Sequence, residues 1–484
     1  MARVSKNETI LSGVLKYSVS TWANLFIGFL SVMITTRLLD PDVYGYISIF
    51  LSATSTLMYI MTLGMDGAFI RFYNEPPSGN TINQLLYKNI IITTFVIIFA
   101  GCICCLFFGD TISYYIFETS NSRLIVMVFA YTFCQVILRF LNIKFRMGFK
   151  VTQYTIQNII INCLSKTLML IGAFFLNEYF FIIKTITIGT FLVLIVYLFI
   201  QWKEIIPVDI NGNLNISLDL KNFGPYFRYA VFSAPTYIVS YLNTFLGQQI
   251  VKNHLSVYSL GIYSSTNTFS TILTSLKGGF STFWSAYIYK NYESKKEKIT
   301  EMHDYIVLLS LVLASGMVVF RDLIYLVIGS EYHESKQFFS LLLIMPFLGF
   351  ISETTSVGIA LAKKSEINLL AYISSVVCNL CLCIVWIPYF GLPGAAFANA
   401  VSGIVLFLIC SVWGQKFYKS IGNIFRSSFG IIILMMILVW PAVNTNIFHI
   451  ICFTTIMDLL ALVIYRMQFK KIINMGLLYI NSKC

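Results

Sequence analysis

RLLDPDVYGYIS, residues 37–48, has a fainter second copy in NHLSVYSLGIYS, residues 253–264. At a constant offset of 216, Leu39 matches Leu255, Gly45 matches Gly261 and Ser48 matches Ser264. Each stretch is a short turn between two long apolar runs. Six such runs separate the copies, an even number, so both turns face the same side of a membrane. That is the pattern of a parallel repeat about an axis along the membrane normal. The chain reads as two halves of like topology.

Composition agrees. Of 484 residues, 57% are hydrophobic and only 11% are charged, against roughly 25% charged in a soluble domain. The longest polar stretches, near 201–222 and 289–304, are too short to fold alone. The first apolar segment begins near residue 14 and is too long for a signal-peptide core, so it reads as a retained first helix. Most of the eleven cysteines sit inside apolar runs and read as packing residues. Cys378 and Cys381 form a C-x-x-C without a nearby His or Asp, so no metal or other cofactor is expected.

About 20 apolar residues cross a bilayer as a helix. Fourteen runs qualify, near 14–38, 43–71, 88–108, 122–142, 153–176, 179–201, 225–249, 257–288, 305–328, 337–361, 367–388, 393–415, 427–443 and 446–466. The expected fold is therefore an all-α integral membrane protein. A six-helix bundle spans 1–202, a cytoplasmic linker 203–222 and a second six-helix bundle 223–415, with two additional helices and a tail over 416–484. With the N-terminus in the cytoplasm, 25 Lys and Arg fall on inner segments, five on outer ones and three within spans. This fivefold bias fits the positive-inside rule and puts both termini in the cytoplasm. The net charge of +12 then reflects orientation and attraction to anionic lipid, not nucleic acid.

Polar residues in the spans fall on stripes. Span 1 has Thr21, Asn24, Ser31 and Thr35, spaced by three and four around Gly28, which is one helical face. Span 2 continues with Ser48, Ser52, Ser55, Tyr59, Thr62 and Asp66. Span 7 carries Thr236, Ser240, Thr244 and Gln248, flanked by Tyr237 and Tyr241. Span 8 carries Thr266, Asn267, Ser270, Thr271, Thr274 and Lys277. One such stripe is ordinary helix–helix glue. Four, on matching helices of a repeat, point to a water-filled cavity between the halves.

Ionisable groups within spans cost roughly 2.5–3.5 kcal/mol on insertion scales and mark function by default. Lys277 extends a cavity stripe, and Glu353 lies in SETTS after Pro346 and Gly349. Asp66 should face the cavity. Arg71 falls i,i+4 with Glu75 near the cytoplasmic surface, as a gate contact, a bond to lipid phosphate or an anchor. Arg228 sits at the inner end of span 7 in a similar position. Lys166, Lys184 and Asp458 interrupt other spans without an evident facing. Together Lys277, Arg71, Arg228 and Arg37 make the expected cavity basic, suited to an anionic substrate. Asp66 and Glu353 are the carboxylates available to couple a proton or sodium ion.

Four stretches resemble one family. GMDGAFIRFYNE (64–75) resembles a helix-2 ending that closes on Arg-Phe, and LLDPDVYGYIS (38–48) a first outer turn, with Asp40 in place of the usual Gly. NLCLCIVWIPYFGLPGAAFANA (379–400) resembles a late-helix N…P-x-x-G-x-x-G-A-A-x-A pattern, and GIALAKKS (358–365) a helix-10 ending. The set resembles the multidrug/oligosaccharidyl-lipid/polysaccharide exporter superfamily, and within it the Wzx-type polysaccharide transporters. The resemblance implies two six-helix bundles whose helices 1, 2, 7 and 8 line a central cavity. It implies transfer of an undecaprenyl-diphosphate-linked oligosaccharide to the outer leaflet of a bacterial cytoplasmic membrane, feeding capsule, O-antigen or exopolysaccharide. Implied partners are membrane lipid, the glycolipid, a coupling ion and a glycan polymerase.

Ser, Thr, Asn and Tyr offer sugars many neutral hydrogen bonds, and the position of Lys277 suits the diphosphate. A MurJ-type lipid II flippase and a MATE-type ion-coupled drug exporter are the alternatives, though a lysine in the cavity argues against a cationic drug. The outer loops are short and hold no catalytic constellation, and there is no P-loop, so an enzyme is not expected.

Overall fold

The computed structural model describes residues 26–148, 150–208, 213–216, 222–362 and 364–471. Thr21 and Asn24 lie outside them. The described residues are helical, with no strand beyond an isolated bridge between Val208 and Leu214. Two compact units divide the chain, Met1–Ser264 and Ser265–Cys484.

The first unit holds α1 (Phe26–Leu38), α2 (Pro41–Thr62), α3 (Met65–Arg71), α4 (Ile82–Phe107) and α5 (Gly109–Phe117). It continues with α6 (Ser122–Met147), α7 (Val151–Phe175), α8 (Tyr179–Ile200), α9 (Trp202–Ile205) and α10 (Gly224–His254). α11 (Val257–Asn291) begins in this unit and ends in the next. The second unit adds α12 (Lys296–Val319), α13 (Arg321–Val327), a 3-10 stretch (Ser330–Gln337), α14 (Phe339–Leu342), α15 (Ile344–Thr355) and α16 (Val357–Leu361). It ends with α17 (Ser365–Phe417), α18 (Ile424–Val443) and α19 (Ile447–Ile464).

Helix covers each of the fourteen expected runs from residue 26 onward. Among the described residues nine helices are long and apolar enough to cross a membrane, ten if the bent pair around residue 338 counts as one span. α10 and α11 are 31 and 35 residues long but fall outside that set, because their polar stripes lower the hydropathy. α17 counts once although it holds two of the expected runs. Its break is Gly391, at φ 62° and ψ −140° between Pro388 and Pro393. Only glycine takes that backbone readily.

Helix starts follow their side chains. Thr81 and Gln84 exchange hydrogen bonds in a capping box ahead of α4. Asn121, Asn423 and Asn446 cap α6, α18 and α19. The expected single span 43–71 is two helices. Leu63 and Gly64 are both left-handed, at φ 48° and 72°, and reset the helical phase between α2 and α3. A Cβ at Gly64 would run into the Ala230 carbonyl of α10, so glycine serves close approach as well as conformation there.

The compact units do not part at the expected linker 203–222. They part later, because α10 packs along α2 and α3. The two repeated turns meet inside the first unit. A Cβ on Gly45 would strike the Val257 carbonyl, and one on Gly261 the Pro41 carbonyl. The matched spacing of the two glycines thus reflects a backbone-to-backbone contact between the two copies. Lys252 is buried there. Its Nζ donates to the carbonyls of Tyr115 (2.7 Å) and Ile116 (3.1 Å) at the end of α5.

Phe69, Leu85, Leu86, Phe140 and Leu141 form a fully buried core in the first unit. Phe95, Leu106, Phe174 and Phe199 instead point outward, exposed. In water such a surface would associate; in a bilayer it is the lipid face. In the second unit α12 packs on α15, α18 and α19. His303 sits between Thr354 (2.8 Å) and Ser427 (2.7 Å), and Asp304 pairs with Arg426 and accepts from Gln468 (2.9 Å). These bonds fasten the last two helices to the unit.

Candidate functional site

The stripes of α2 and α10 face each other. Ser52 donates to Gln248 at 2.5 Å, and Gln248 donates on to Ser264 at 3.3 Å. Thr56 donates to the Tyr241 carbonyl (3.1 Å), and the hydroxyls of Tyr59 and Tyr241 lie 3.3 Å apart. The rings of Tyr59 and Tyr241 stack at 4.2 Å, with Tyr237 beyond at 5.8 Å from Tyr59. All of these partners are uncharged. The seam is closed by hydrogen bonds that water or a polyol could replace.

Below it, Arg139 of α6 donates from Nε (2.8 Å) and Nη2 (2.6 Å) to a single oxygen of Asp66 on α3. Its guanidinium also lies 4.8 Å from the Tyr59 ring centroid. The Asp66 side chain is 5% exposed and that of Arg139 30%. The phase break at Leu63–Gly64 explains the difference from expectation. Asp66 turns toward α6 instead of extending the α2 stripe.

Arg139 also lines a cavity of about 300 Å³ inside the first unit, walled by α2, α6, α7, α8 and α10. Its polar lining includes Gln135, Asn142, Asn158, Asn162 and Ser165. The second unit holds a smaller cavity of about 150 Å³ against α11, α15 and both arms of α17. It is lined by Lys277 and Glu353, whose side chains pair at 3.2 Å. Each unit therefore has an internal cavity beside an ion pair joining the second and fourth spans of its repeat. The polarity is reversed. The carboxylate is on the second span in the first unit and on the fourth in the second.

The remaining expected residues divide. Thr35 is buried and donates back to the Ser31 carbonyl (2.7 Å), the ordinary behaviour of a helix threonine. Ser55 and Ser240 are half-buried, and Thr244 is exposed. On α11, Ser270 donates to the Leu342 carbonyl (2.7 Å), Thr274 to the Ser270 carbonyl (2.9 Å), and Asn267 is half-buried. Arg71 pairs with Glu75 (3.3 Å) on the surface as its spacing suggests, and Arg228 is exposed. Lys277 is not a lone cavity cation, since Glu353 faces it. Lys184 is exposed, Lys166 is half-buried, and Asp458 accepts from Ser315 at 2.6 Å. Arg139 escaped the sequence because it ends an apolar run beside other basic residues and so reads as an inner-loop charge. Its signal was position, three residues inside the run's end with Leu138 and Phe140 on either side.

Comparison with known proteins places this architecture. No curated protein matches the sequence. A solved structure of the lipid II flippase MurJ, in an inward closed conformation, superposes with a TM-score of 0.68 at 16% identity, over 95% of this chain and 100% of that one. The MATE multidrug transporter DinF-BH superposes with a TM-score of 0.61 at 13% identity, over 85% of this chain and 96% of that one. At these identities the likeness is one of fold, which is that of membrane transporters. The family model for polysaccharide biosynthesis proteins matches residues 10–284, more than half of the sequence and all of the α2–α10 seam. The chain is a multi-pass membrane protein of the polysaccharide biosynthesis family.

Proposed function

We propose that this protein is a flippase that carries an undecaprenyl-diphosphate-linked oligosaccharide across a bacterial cytoplasmic membrane by alternating access, for surface polysaccharide synthesis. The observation that carries the proposal is the uncharged seam of Ser52, Thr56, Tyr59, Tyr241 and Gln248. Sugars need many neutral donors and acceptors, and a seam that exchanges its internal bonds for bonds to hydroxyls opens at small net cost. Family membership supports the same substrate class, and the shared fold with a lipid II flippase supports the mode of transport.

Ser31, Thr35, Ser55, Tyr237, Ser240 and Thr244 are proposed to line the same passage. Asn267, Ser270 and Thr274 would offer sugars the same kind of partner from α11. Arg71 and Arg228, exposed at a charge-rich margin, are proposed to hold lipid phosphate. Asp66 and Glu353 are the carboxylates proposed to take up a coupling proton or sodium ion on leaving their cations. The excess of Lys and Arg on alternate segments supports cytoplasmic termini.

The test is to delete the gene and measure lipid-linked oligosaccharide in each leaflet together with surface polysaccharide. Accumulation on the cytoplasmic side with loss of surface polymer is expected. Unchanged leaflet distribution and polymer, with raised sensitivity to cationic drugs, would replace the flippase by a drug exporter.

A further inference from the structure

We propose that the 300 Å³ cavity inside the first unit is a binding subsite for one uncharged sugar ring. Naming the sugar as part of a lipid-linked glycan rests on the flippase proposal; the site itself rests on its hydrogen-bonding inventory. Arg139 spends Nε and Nη2 on Asp66, and no bond to Nη1 is made among the described residues. The Gln135 Oε1 is buried without a partner. Asn142 spends its amide N–H on Gln157 (3.3 Å), leaving its oxygen. Asn162 donates to the backbone (2.8 Å) and side-chain (3.1 Å) oxygens of Asn158, leaving the Asn162 oxygen and the Asn158 amide nitrogen. Whichever way an amide is turned, it brings one acceptor and one donor group.

This mixture selects the ligand class. A bare cation would suit the amide oxygens but meet the guanidinium. A phosphate or carboxylate accepts only, so it would suit Arg139 and place its charge against the oxygens of Gln135, Asn142 and Asn162. A hydroxyl donates and accepts at once, and a sugar ring presents several in fixed directions. The Arg139–Asp66 pair is neutral as a unit, which removes any demand for ligand charge. The volume lies at the low end for ligand pockets, roughly 300–1,000 Å³, and corresponds to on the order of ten waters. That is room for a single ring, not for an oligosaccharide. The cavity lies beside the α2–α10 seam and shares Tyr59 and Tyr241 with it, so a ring seated there would be held where the seam parts.

The experiment uses the full chain in lipid nanodiscs and saturation-transfer NMR. The probes are the methyl glycosides of glucose, galactose, mannose, rhamnose, N-acetylglucosamine and N-acetylgalactosamine. Transfer to at least one glycoside is expected, with a Kd on the order of 1 mM. The double variant Asn158→Leu, Asn162→Leu puts apolar residues that a membrane helix accepts in place of two amides, and binding should weaken about tenfold. If that variant does not fold, Gln135→Leu gives the same readout from a different helix. No transfer to any probe, or undiminished transfer in the folded variants, overturns the subsite and leaves the cavity to water, whatever the gene deletion shows. Transfer that is lost in the variants, in a protein whose deletion leaves leaflet distribution unchanged, keeps the subsite and removes the flippase.

Discussion

The Asp66–Arg139 pair makes a quantitative demand. Asp66 is the buried partner, with 5% of its side chain exposed, while Arg139 is 30% exposed toward a polar cavity. Arg139→Met strands a buried carboxylate, and breaking a buried pair in this way costs about 3–5 kcal/mol. The same substitution loses the contact of the guanidinium with the Tyr59 ring, 4.8 Å away, which adds about 0.5–2 kcal/mol. Asp66→Asn leaves a guanidinium that can still bond to the amide oxygen and to cavity water, so it costs less, about 1–3 kcal/mol. The double variant Asp66→Leu, Arg139→Met replaces the pair by apolar groups and should return to within about 1.5 kcal/mol of the parent. With the single variant Asp66→Leu included, unfolding by sodium dodecyl sulfate in mixed micelles, followed by tryptophan fluorescence, gives all four corners of the cycle. The expected order is Arg139→Met worst, Asp66→Asn intermediate and the double variant best. A double variant as unstable as the sum of its singles would refute the pairing, and Asp66→Asn costing more than Arg139→Met would refute the assignment of Asp66 as the buried member.

The second pair predicts a milder cycle. Lys277 and Glu353 are 27% and 21% exposed, so Lys277→Met should cost about 1–3 kcal/mol in the same assay, and Lys277→Glu should be rescued by Glu353→Lys; no rescue by the exchange would count against the contact. Two left-handed glycines predict a contrast. Gly391 has open space where a Cβ would go, so Gly391→Ala should cost only the conformational term, about 1–3 kcal/mol at its ψ of −140°, whereas Gly64→Ala adds to a left-handed term of about 1–2 kcal/mol a collision with the Ala230 carbonyl of about 1–3 kcal/mol. A loss at Gly64 no larger than its left-handed term alone, about 1–2 kcal/mol, would show that α10 does not approach Gly64 so closely.

The helical class and the position of nearly every helix were legible in the sequence, because a bilayer imposes long apolar runs. The repeated turns were legible for a sharper reason. Gly45 and Gly261 recur at one offset because each lets the other's backbone in. What the sequence hid depends on rotation about a helix axis. Ser52 and Tyr59 of α2 bond to α10, whereas Asp66 turns to α6 because two left-handed residues intervene, one of them Leu63, which gives no warning. The polar faces of α2 and α10 were legible, but nothing local revealed that they bond to each other. Partners such as Arg139 for Asp66 lie on helices whose relative rotation no periodicity records.

The two ion pairs carry the repeat further than identity does. The offset of 216 that aligns the turns puts Thr282, not a charged residue, opposite Asp66. Yet each unit still joins its second and fourth spans by one acid and one base, with the signs exchanged. What persists is therefore the neutral charged contact beside a cavity, not a basic residue at a given place. Within each unit the cation at the cavity is therefore compensated by a carboxylate. Lys277 can meet a diphosphate only by giving up Glu353, and Arg37, Arg71 and Arg228 are exposed. On the proposed reading, a passage lined by neutral hydrogen-bonding groups and internally compensated charges would give an anion little to hold while favouring hydroxyls. On the proposed flippase reading, the headgroup phosphates would be better met at the charged margin near Arg71 and Arg228, and the interior would be left to the sugars.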